Sequence, residues 1–376
     1  LVERDGALEV RITEELREVA YLDQIRLFAI DRPAGVDVYT NEKFKAPPFP
    51  QFQLFGVREQ QKIRPTRARD GQGRDVLDRV SKRDGRYVDG FERTFRNTAE
   101  MHELTLDLAG LEGGEGAMLF LNGWVDWADA STIVAGSQTP DKGIHPPVLQ
   151  VRDRRGQWRT VIDDLGLPGG RPRTMAVDLG GKFLTASREV RILTNMCVYW
   201  DEIFAADGVA DPGVKQIEAQ LAEATLRFRG FSQNVIHPDR LQPEGFVYAQ
   251  ARLSSNWDPT PGLYTKFGPV DELVSAIDDR YVILGAGDEV VLRFGADLPS
   301  VQPGHTRDYL LFVDGWAKEN DANTAFGDTV EPLPFHSMSS YPYDGAKESF
   351  PPTEGHASYR RTYNNRKALS LAPPLH

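Results

Sequence analysis

The stretch Leu119-Phe120-Leu121-Asn122-Gly123-Trp124 returns near the other end of the chain as Leu311-Phe312-Val313-Asp314-Gly315-Trp316. In both places an Asp-Ala-x-Thr segment follows, at the same distance from the tryptophan. An apolar run of strand length that ends twice at Gly-Trp and continues in the same way indicates an internal repeat.

Three more segments recur in the same order along the chain, which strengthens the case for a duplication. Each Gly-Trp block is preceded by a Val-Arg-Ile strand with a Tyr-x-Asp segment, by an Arg-Tyr-Val segment and by an alternating strand. The first copies are Val10-Arg11-Ile12 with Tyr21-Leu22-Asp23, then Arg86-Tyr87-Val88, then 102–108. The second copies are Val190-Arg191-Ile192 with Tyr199-Trp200-Asp201, then Arg280-Tyr281-Val282, then 288–294. Four landmarks in one order predict two diverged copies of one unit.

Strand signals dominate the local patterns. Residues 102–108 and 288–294 alternate apolar and polar side chains, as half-buried strands do. The segments 148–153 and 157–162 predict a hairpin in which Gly156 supplies the positive φ of a three-residue turn. The 34 glycines and 25 prolines divide the chain into many short elements, as in sandwiches and barrels.

The predicted fold is therefore mainly β: two tandem, internally duplicated β-sandwich-like units, of jelly-roll or immunoglobulin-like type, with few short helices. We expect the helices within 71–82 and 268–278. The predicted division is a first unit at 1–186, a second at 187–330 with a linker near 205–213, and an extended C-terminal arm at 331–376. The chain opens at Leu1 directly into strand-like alternation, which suggests a piece of a longer polypeptide.

Composition excludes some classes of function. The formal net charge is −11, and the arginine-rich stretches are interleaved with aspartate or glycine. Nucleic-acid binding needs grouped cations to neutralise phosphates, so no nucleic-acid partner is expected. No apolar run approaches the ~20 residues that a membrane-spanning helix needs, so no membrane span is expected.

The usual catalytic constellations are missing from the sequence. It contains no Gly-x-Ser-x-Gly elbow, His-Glu-x-x-His, P-loop or Cys-x-x-Cys motif. The seven histidines are scattered, and no pair has a metal-ligand spacing. His336 lies in the proline-rich tail and is interpreted as part of a docked segment. These observations favour a non-catalytic protein without a cofactor.

The two Gly-Trp loops hold the candidate ligand-binding residues. A tryptophan ring beside carboxylates and amides can stack on a sugar and bind its hydroxyls, and oxygen-rich loops can hold calcium. The candidates are Trp124, Asp126, Trp127, Asp129, Trp316, Asp321 and Asn323. The alternative is structural: the tryptophan plugs the end of a sandwich, and Asp-Ala-x-Thr caps a turn. The metal content stays open at this point.

A second set of residues is interpreted as structural. Tyr21 and Asp23, with Tyr199 and Asp201 in the second copy, lie on one face of a strand. A buried aspartate there needs a hydrogen bond or an ion pair, and Arg11 and Arg191 on neighbouring strands are the candidate partners. Gly123 and Gly315 persist in both copies, as a requirement of the fold would.

The Gly-Trp blocks and the Tyr-Trp-Asp-Glu-Ile segment at 199–203 resemble the C-terminal region of bacterial FG-GAP/VCBS-repeat proteins of the ASPIC/UnbV-associated type. The resemblance spans about Val10 to Tyr343. It implies a secreted, periplasmic or cell-surface protein whose parent polypeptide carries an integrin-like β-propeller. The implied partner is that propeller, or another domain of the parent protein or assembly.

Two classes of function follow from the sequence. The leading hypothesis is a non-catalytic binding or structural module that contacts a protein partner or a glycan. The alternative is a carbohydrate-active enzyme that uses Asp126, Asp129 or Glu331 near Trp124. A weaker third hypothesis is a scaffold subunit whose tail wraps a neighbour.

Overall fold

The computed structural model of the protein describes residues 1, 3–95, 97–126, 128–138, 143–209, 213–236, 238, 243–254, 257 and 259–368. The strands of the first half are β1 (Glu3–Arg4), β2 (Ala7–Thr13), β3 (Glu18–Pro33), β4 (Val36–Thr40), β5 (Leu54–Arg58), β6 (Arg67–Asp70), β7 (Arg93–Phe95), β8 (Thr98–Asp107), β9 (Met118–Val125), β10 (Val148–Arg152), β11 (Trp158–Ile162) and β12 (Arg173–Asp178). Two short helices lie between them, α1 (Leu77–Val80) and α2 (Ala130–Ser137).

The second half continues the same mainly β pattern. Its strands are β13 (Glu189–Met196), β14 (Val198–Ala206), β15 (Lys215–Ala219), β16 (Leu221–Phe228), β17 (Phe231–Ile236), β18 (Pro243–Arg252), β19 (Leu263–Thr265), β20 (Gly268–Pro269), β21 (Val282–Leu284), β22 (Asp288–Gly295), β23 (His305–Glu319) and β24 (Asn364–Lys367). The helix α3 spans Glu354–Thr362, and two 3₁₀ turns span Glu59–Gln61 and Asp271–Val274. The predicted mainly β class is confirmed.

The chain forms two compact units. Unit 1 consists of Leu1–Asp31, Lys215–Gln302 and Arg307–His376, and unit 2 of Arg32–Val214 and Pro303–Thr306. These limits differ from the division expected from the sequence, because strands of one expected unit pair with strands of the other. The strands β13 and β14 were expected to open the second copy, yet they pair with β8 and β9 inside unit 2. In unit 1, β2 pairs with β22, which belongs to the second of the two units expected from the sequence.

Unit 1 is built from two main sheets that share one core. One sheet has the order β1-β2-β22-β16-β20, and the other has β15-β3-β21 with β23 also paired to β3. Alternation along β22 buries Val290, Leu292 and Phe294 against residues of the second sheet such as Leu22 and Ile25. Burial of one face of each sheet against the other is the sandwich arrangement.

Unit 2 repeats this arrangement with its own strands. One sheet has the order β11-β10-β13-β8-β6, with β7 also on β8, and the other has β12-β9-β14. Val190 and Ile192 alternate with half-buried neighbours along β13 and pack into a core with Leu119 and Leu121 of β9. The unit is therefore a second sandwich around a separate hydrophobic core.

Equivalent strands pair in the same register in the two units. In unit 2, Val190 lies opposite Leu106 and Ile192 opposite Leu104. In unit 1, the repeat partners of these residues meet in the same way, at Val10 with Leu292 and Ile12 with Val290. A one-residue slip would turn every side chain to the other face of the sheet, so this agreement supports the duplication.

Several local predictions can be compared with the structure. β10 and β11 form the predicted hairpin, and Gly156 has φ +72°. The two predicted helical stretches contain only single turns, α1 and the 3₁₀ turn Asp271–Val274. The tail differs from an extended arm, because α3 and β24 lie within it and Leu333, Phe335 and Tyr359 are buried. Of the predicted linker, 210–212 lie outside the described residues.

No helix within the described ranges is both long and apolar enough to cross a bilayer. This agrees with the absence of a long apolar run in the sequence.

A buried glutamate that follows β2 makes the stability of unit 1 depend on pH. Burial, reinforced by the charge of Glu18, raises the pKa of Glu14 well above its ordinary value. The folded state then holds the proton more tightly than the unfolded state, so stability is full below the unfolded pKa and falls as pH rises toward the folded pKa. We expect Glu14→Gln to stabilise the protein at pH 7 and to change little at pH 4.

Urea denaturation of the wild type and of Glu14→Gln at both pH values tests this expectation. Glu3→Gln, at an exposed position of β1, is the matched control and should show no such difference between the two pH values. A gain from Glu14→Gln that is equal at pH 4 and pH 7 would show that ionisation of this carboxyl is not the cause.

Candidate functional site

The two repeated glycines lie where a strand passes very close to its neighbour. A Cβ atom on Gly123 of β9 would stand 2.5 Å from the carbonyl oxygen of Tyr199 on β14. A Cβ on Gly315 of β23 would stand still closer to the carbonyl oxygen of Tyr21 on β3. Only glycine fits without moving backbone, which explains why the residue persists in both copies.

The repeated aspartates hold a loop by accepting backbone hydrogen bonds. Asp201 accepts from the amides of Asp84 and Gly85 at 3.3 and 3.1 Å. In unit 1, Asp23 accepts from the amides of Asp278 and Asp279, both at 3.0 Å. Both aspartates are buried. Each unit therefore uses a carboxylate to fix the turn before its Arg-Tyr-Val segment.

The expected arginine partners of these aspartates are not the ones found. Arg11 binds Glu9 and the hydroxyl of Tyr248, and Arg191 binds Glu103 and Gln150. The prediction of Arg–Asp pairing was wrong, because backbone amides and not arginines donate to Asp201 and to Oδ2 of Asp23.

The tryptophans of the two Gly-Trp pairs pack against their own units. Trp124 stacks on Tyr199 with ring centroids 4.3 Å apart and an angle of 9° between the planes. Trp316 packs on the core around Tyr21 and lies with its ring edge-on to His336, at 5.7 Å. Both rings are half-buried. One face of the Trp124 ring is thus already covered by protein.

The polar candidates near the tryptophans have structural contacts. Asp126 is buried and pairs with Arg93 at 2.9 Å, and Asp129 caps α2 by accepting from the amide of Thr132 at 2.7 Å. Asp321 accepts from the amide of Asn323 at 2.7 Å, which is an Asx turn. Trp127 lies outside the described residues. Glu331, the remaining carboxylate of the enzyme hypothesis, belongs to unit 1, whereas Asp126 and Asp129 belong to unit 2.

The two copies diverge at two positions that lie together in unit 1. Asp314 occupies the position of Asn122 in the repeated block, and Asp279 occupies the position of Gly85. His336, from the tail, lies between these two aspartates. Unit 1 therefore adds two carboxylates and an imidazole to a framework that unit 2 builds without them.

His336 is held at both ring nitrogens by carboxylates. Its Nδ1 lies 2.7 Å from Oδ1 of Asp279, and its Nε2 lies 2.8 Å from Oδ1 of Asp314. Its backbone amide also donates to Asp279, at 2.9 Å. The hydrogen bonds to Asp279 and Asp314 raise the pKa of the His336 imidazole to about 10. Both ring nitrogens can donate to the two carboxylates only when the ring is doubly protonated and positively charged.

Asp23 lies beside His336 and adds a third carboxylate to Asp279 and Asp314. Its Oδ2 lies 3.6 Å from Nδ1 of His336, and burial raises the pKa of its carboxyl to about 6. Its other oxygen, Oδ1, is buried and has no hydrogen-bond partner among the described residues. Asp23, Asp314 and His336 each present a donor atom within 4.8 Å of the others. We call Asp23, Asp279, Asp314 and His336 the acidic–histidine cluster.

Sequence reasoning did not find this cluster, although parts of its signal were present. The change from Asn122 to Asp314 is visible within the repeated block, and His336 lies in the tail. Neither position reveals the contact, because His336 is 22 positions from Asp314 and 57 from Asp279 in the chain. A carboxylate gained in one copy at a fold-defining motif is the signal that could have directed attention there.

Comparisons with protein-family models, with curated proteins and with solved structures give no match to this chain. What the protein does must therefore be inferred from its own residues.

Proposed function

We propose that this chain is a non-catalytic binding module of a secreted or cell-envelope bacterial protein. We further propose that it contacts a protein partner, a β-propeller or another domain of the parent protein or assembly, through the β17–β18 hairpin of unit 1. The resemblance to the FG-GAP/VCBS-repeat proteins supports the location. The exposed apolar side chains of the hairpin are the observation that supports the contact.

The hairpin forms a two-stranded sheet of its own. Val235 and Ile236, adjacent at the end of β17, are 42% and 49% exposed. Neighbouring apolar side chains on an exposed element are typical of protein interaction sites, because water favours their burial. A hairpin is also marginal in stability on its own, so a partner strand or surface would stabilise it.

The base of the hairpin is fixed to unit 1 by buried polar contacts. The Tyr248 hydroxyl of β18 donates to Glu289 at 2.6 Å, and Ser232 of β17 donates to Glu15 through its amide at 2.8 Å and its hydroxyl at 2.6 Å. Glu289 is fully buried, so the acceptor of the first of these bonds is shielded from water. A fixed base presents the apolar end in a defined direction, which lowers the entropic cost of binding.

Site-specific crosslinking tests the proposed contact. A photoreactive amino acid replaces Ile236, and the full chain is irradiated in the cell-envelope fraction of the bacterium that produces it. We expect one crosslinked protein species, and we expect Val235→Glu to abolish it because burying a charge against an apolar partner is costly. The matched control carries the same photoreactive residue at Leu184 of unit 2, which is 46% exposed, and should yield no such species.

Two outcomes would contradict the proposal. The first is the absence of a crosslink from position 236, and the second is the same crosslink from positions 236 and 184. A panel of glycans in a thermal-shift assay examines the other partner that the sequence suggested, since a ligand that binds only the folded state raises the melting temperature. A shift with one sugar class, without a crosslink at 236, would replace the protein partner by a glycan.

A further inference from the structure

We propose that unit 1 binds one divalent transition-metal ion, of the Zn²⁺ or Mn²⁺ class, through Asp23, Asp314 and His336. The three side chains come from β3, β23 and the tail, and each offers a donor atom within 4.8 Å of the other two. This inference goes beyond the proposed partner binding and does not depend on it.

The first argument is the buried oxygen of Asp23. Oδ2 of this carboxylate receives two backbone amides, whereas Oδ1 is buried and has no partner among the described residues. A buried carboxylate oxygen without a donor is costly and rare in folded proteins. A cation bound beside it would satisfy that oxygen.

The second argument is the way in which Asp279 holds the imidazole. Oδ1 of Asp279 lies 2.7 Å from Nδ1 of His336 and also receives the hydroxyl of Tyr281 at 2.8 Å. Histidines that bind metals usually present one ring nitrogen to the ion while a carboxylate or carbonyl fixes the other. Asp279 supplies that orientation, and it leaves the nitrogen on the side of Asp314 directed at a second carboxylate.

The donor set selects the class of ion. Two carboxylates and one imidazole suit Zn²⁺ and Mn²⁺, whereas Ca²⁺ takes six to eight oxygen ligands. The side chains of His336 and Asp314 are 35% and 26% exposed, so solvent can reach the cluster and complete the coordination. The calcium suggested by the loop composition is therefore expected to bind more weakly here than Zn²⁺ or Mn²⁺.

The alternative is that a protonated His336 alone balances the carboxylates. The imidazolium then bridges Asp279 and Asp314 and ties the tail to the sheet. That arrangement leaves Oδ1 of Asp23 unsatisfied. A metal ion would instead displace the proton from Nε2 of His336 and give the buried carboxylate of Asp23 a cation beside it.

Unit 2 provides an internal control for the experiment. Its repeated block places Asn122 where unit 1 has Asp314, and it keeps the buried aspartate as Asp201. Asparagine at this position is thus compatible with the same strand geometry. Asp314→Asn should remove a charged ligand without unfolding unit 1, and circular dichroism of the variant checks this.

Isothermal titration of the metal-free full chain with ZnCl₂, MnCl₂ and CaCl₂ tests the proposal. We expect one saturable site for Zn²⁺ or Mn²⁺, and we expect Asp314→Asn and His336→Gln each to weaken binding by about 10-fold or more. His305→Gln, at a histidine that lies outside the cluster, should bind as the wild type does. Absence of a saturable site for both transition metals, or wild-type affinity in both cluster variants, would overturn the inference.

Discussion

Replacing Gly315 by alanine is expected to destabilise unit 1 by about 3 kcal/mol or more, an effect at the upper end of overpacking substitutions. The new methyl group would overlap the carbonyl oxygen of Tyr21 on the neighbouring strand. That oxygen belongs to backbone inside a sheet, so it cannot swing aside as the end of a side chain can. Gly123→Ala should act in the same way in unit 2, against the carbonyl oxygen of Tyr199. Urea denaturation followed by circular dichroism measures both losses.

Two glycines without near neighbours provide the controls for this experiment. A Cβ on Gly345 in unit 1, or on Gly170 in unit 2, would meet no atom within 4 Å. Alanine at either position should change the free energy of unfolding by no more than about 0.5 kcal/mol, as at most surface sites. If Gly315→Ala lost no more stability than Gly345→Ala, the close approach of β23 to β3 would not be what retains glycine.

The repeated segments predicted the local fold well because they encode burial and spacing. Alternation in 288–294 predicted β22, and the matching landmarks predicted that Val10 and Val190 have equivalent surroundings. A strand that buries one face has only one register in which its apolar side chains stay inside. Both units therefore reproduce the same pairing from diverged residues.

The assignment of strands to units could not be read from the same segments. Each unit needs a Val-Arg-Ile strand and a Tyr-x-Asp strand, and the chain contains two of each with similar complementary surfaces. In unit 1 these strands precede the rest of the unit, as β2 and β3, whereas in unit 2 they follow it, as β13 and β14. Related elements can be exchanged between equivalent partners at low cost, as in domain swapping, so order along the chain does not settle which copy they complete.

Prediction of the candidate site from the sequence meets the same limit, because contacts between distant segments are not encoded in local motifs. The Gly-Trp motif predicted that the fold requires Gly123 and Gly315, and the structure places close backbone contacts there. The acidic–histidine cluster instead depends on where the tail returns to the sheet, and composition does not encode that contact. It was detectable only as a difference between the copies, at Asp314 and Asp279.

Replacing Asp201 by alanine is expected to cost about 3 kcal/mol of the stability of unit 2. The carboxylate is buried and accepts the amides of Asp84 and Gly85, so alanine leaves both N–H groups without that acceptor and opens a small cavity. Asp201→Asn should lose less, because the amide oxygen can still accept one of the two hydrogen bonds. Urea denaturation of both variants gives the ranking.

Asp163→Ala is the control for Asp201→Ala, because Asp163 is an exposed aspartate of the same unit. Its expected change is within about 0.5 kcal/mol. Equal losses from Asp201→Ala and Asp163→Ala would mean that the loop before Arg86 is held by its apolar contacts alone. A loss confined to Asp201 would instead explain why both copies keep this aspartate: it fixes the turn in each unit, and in unit 1 the same carboxylate at Asp23 is also positioned beside His336.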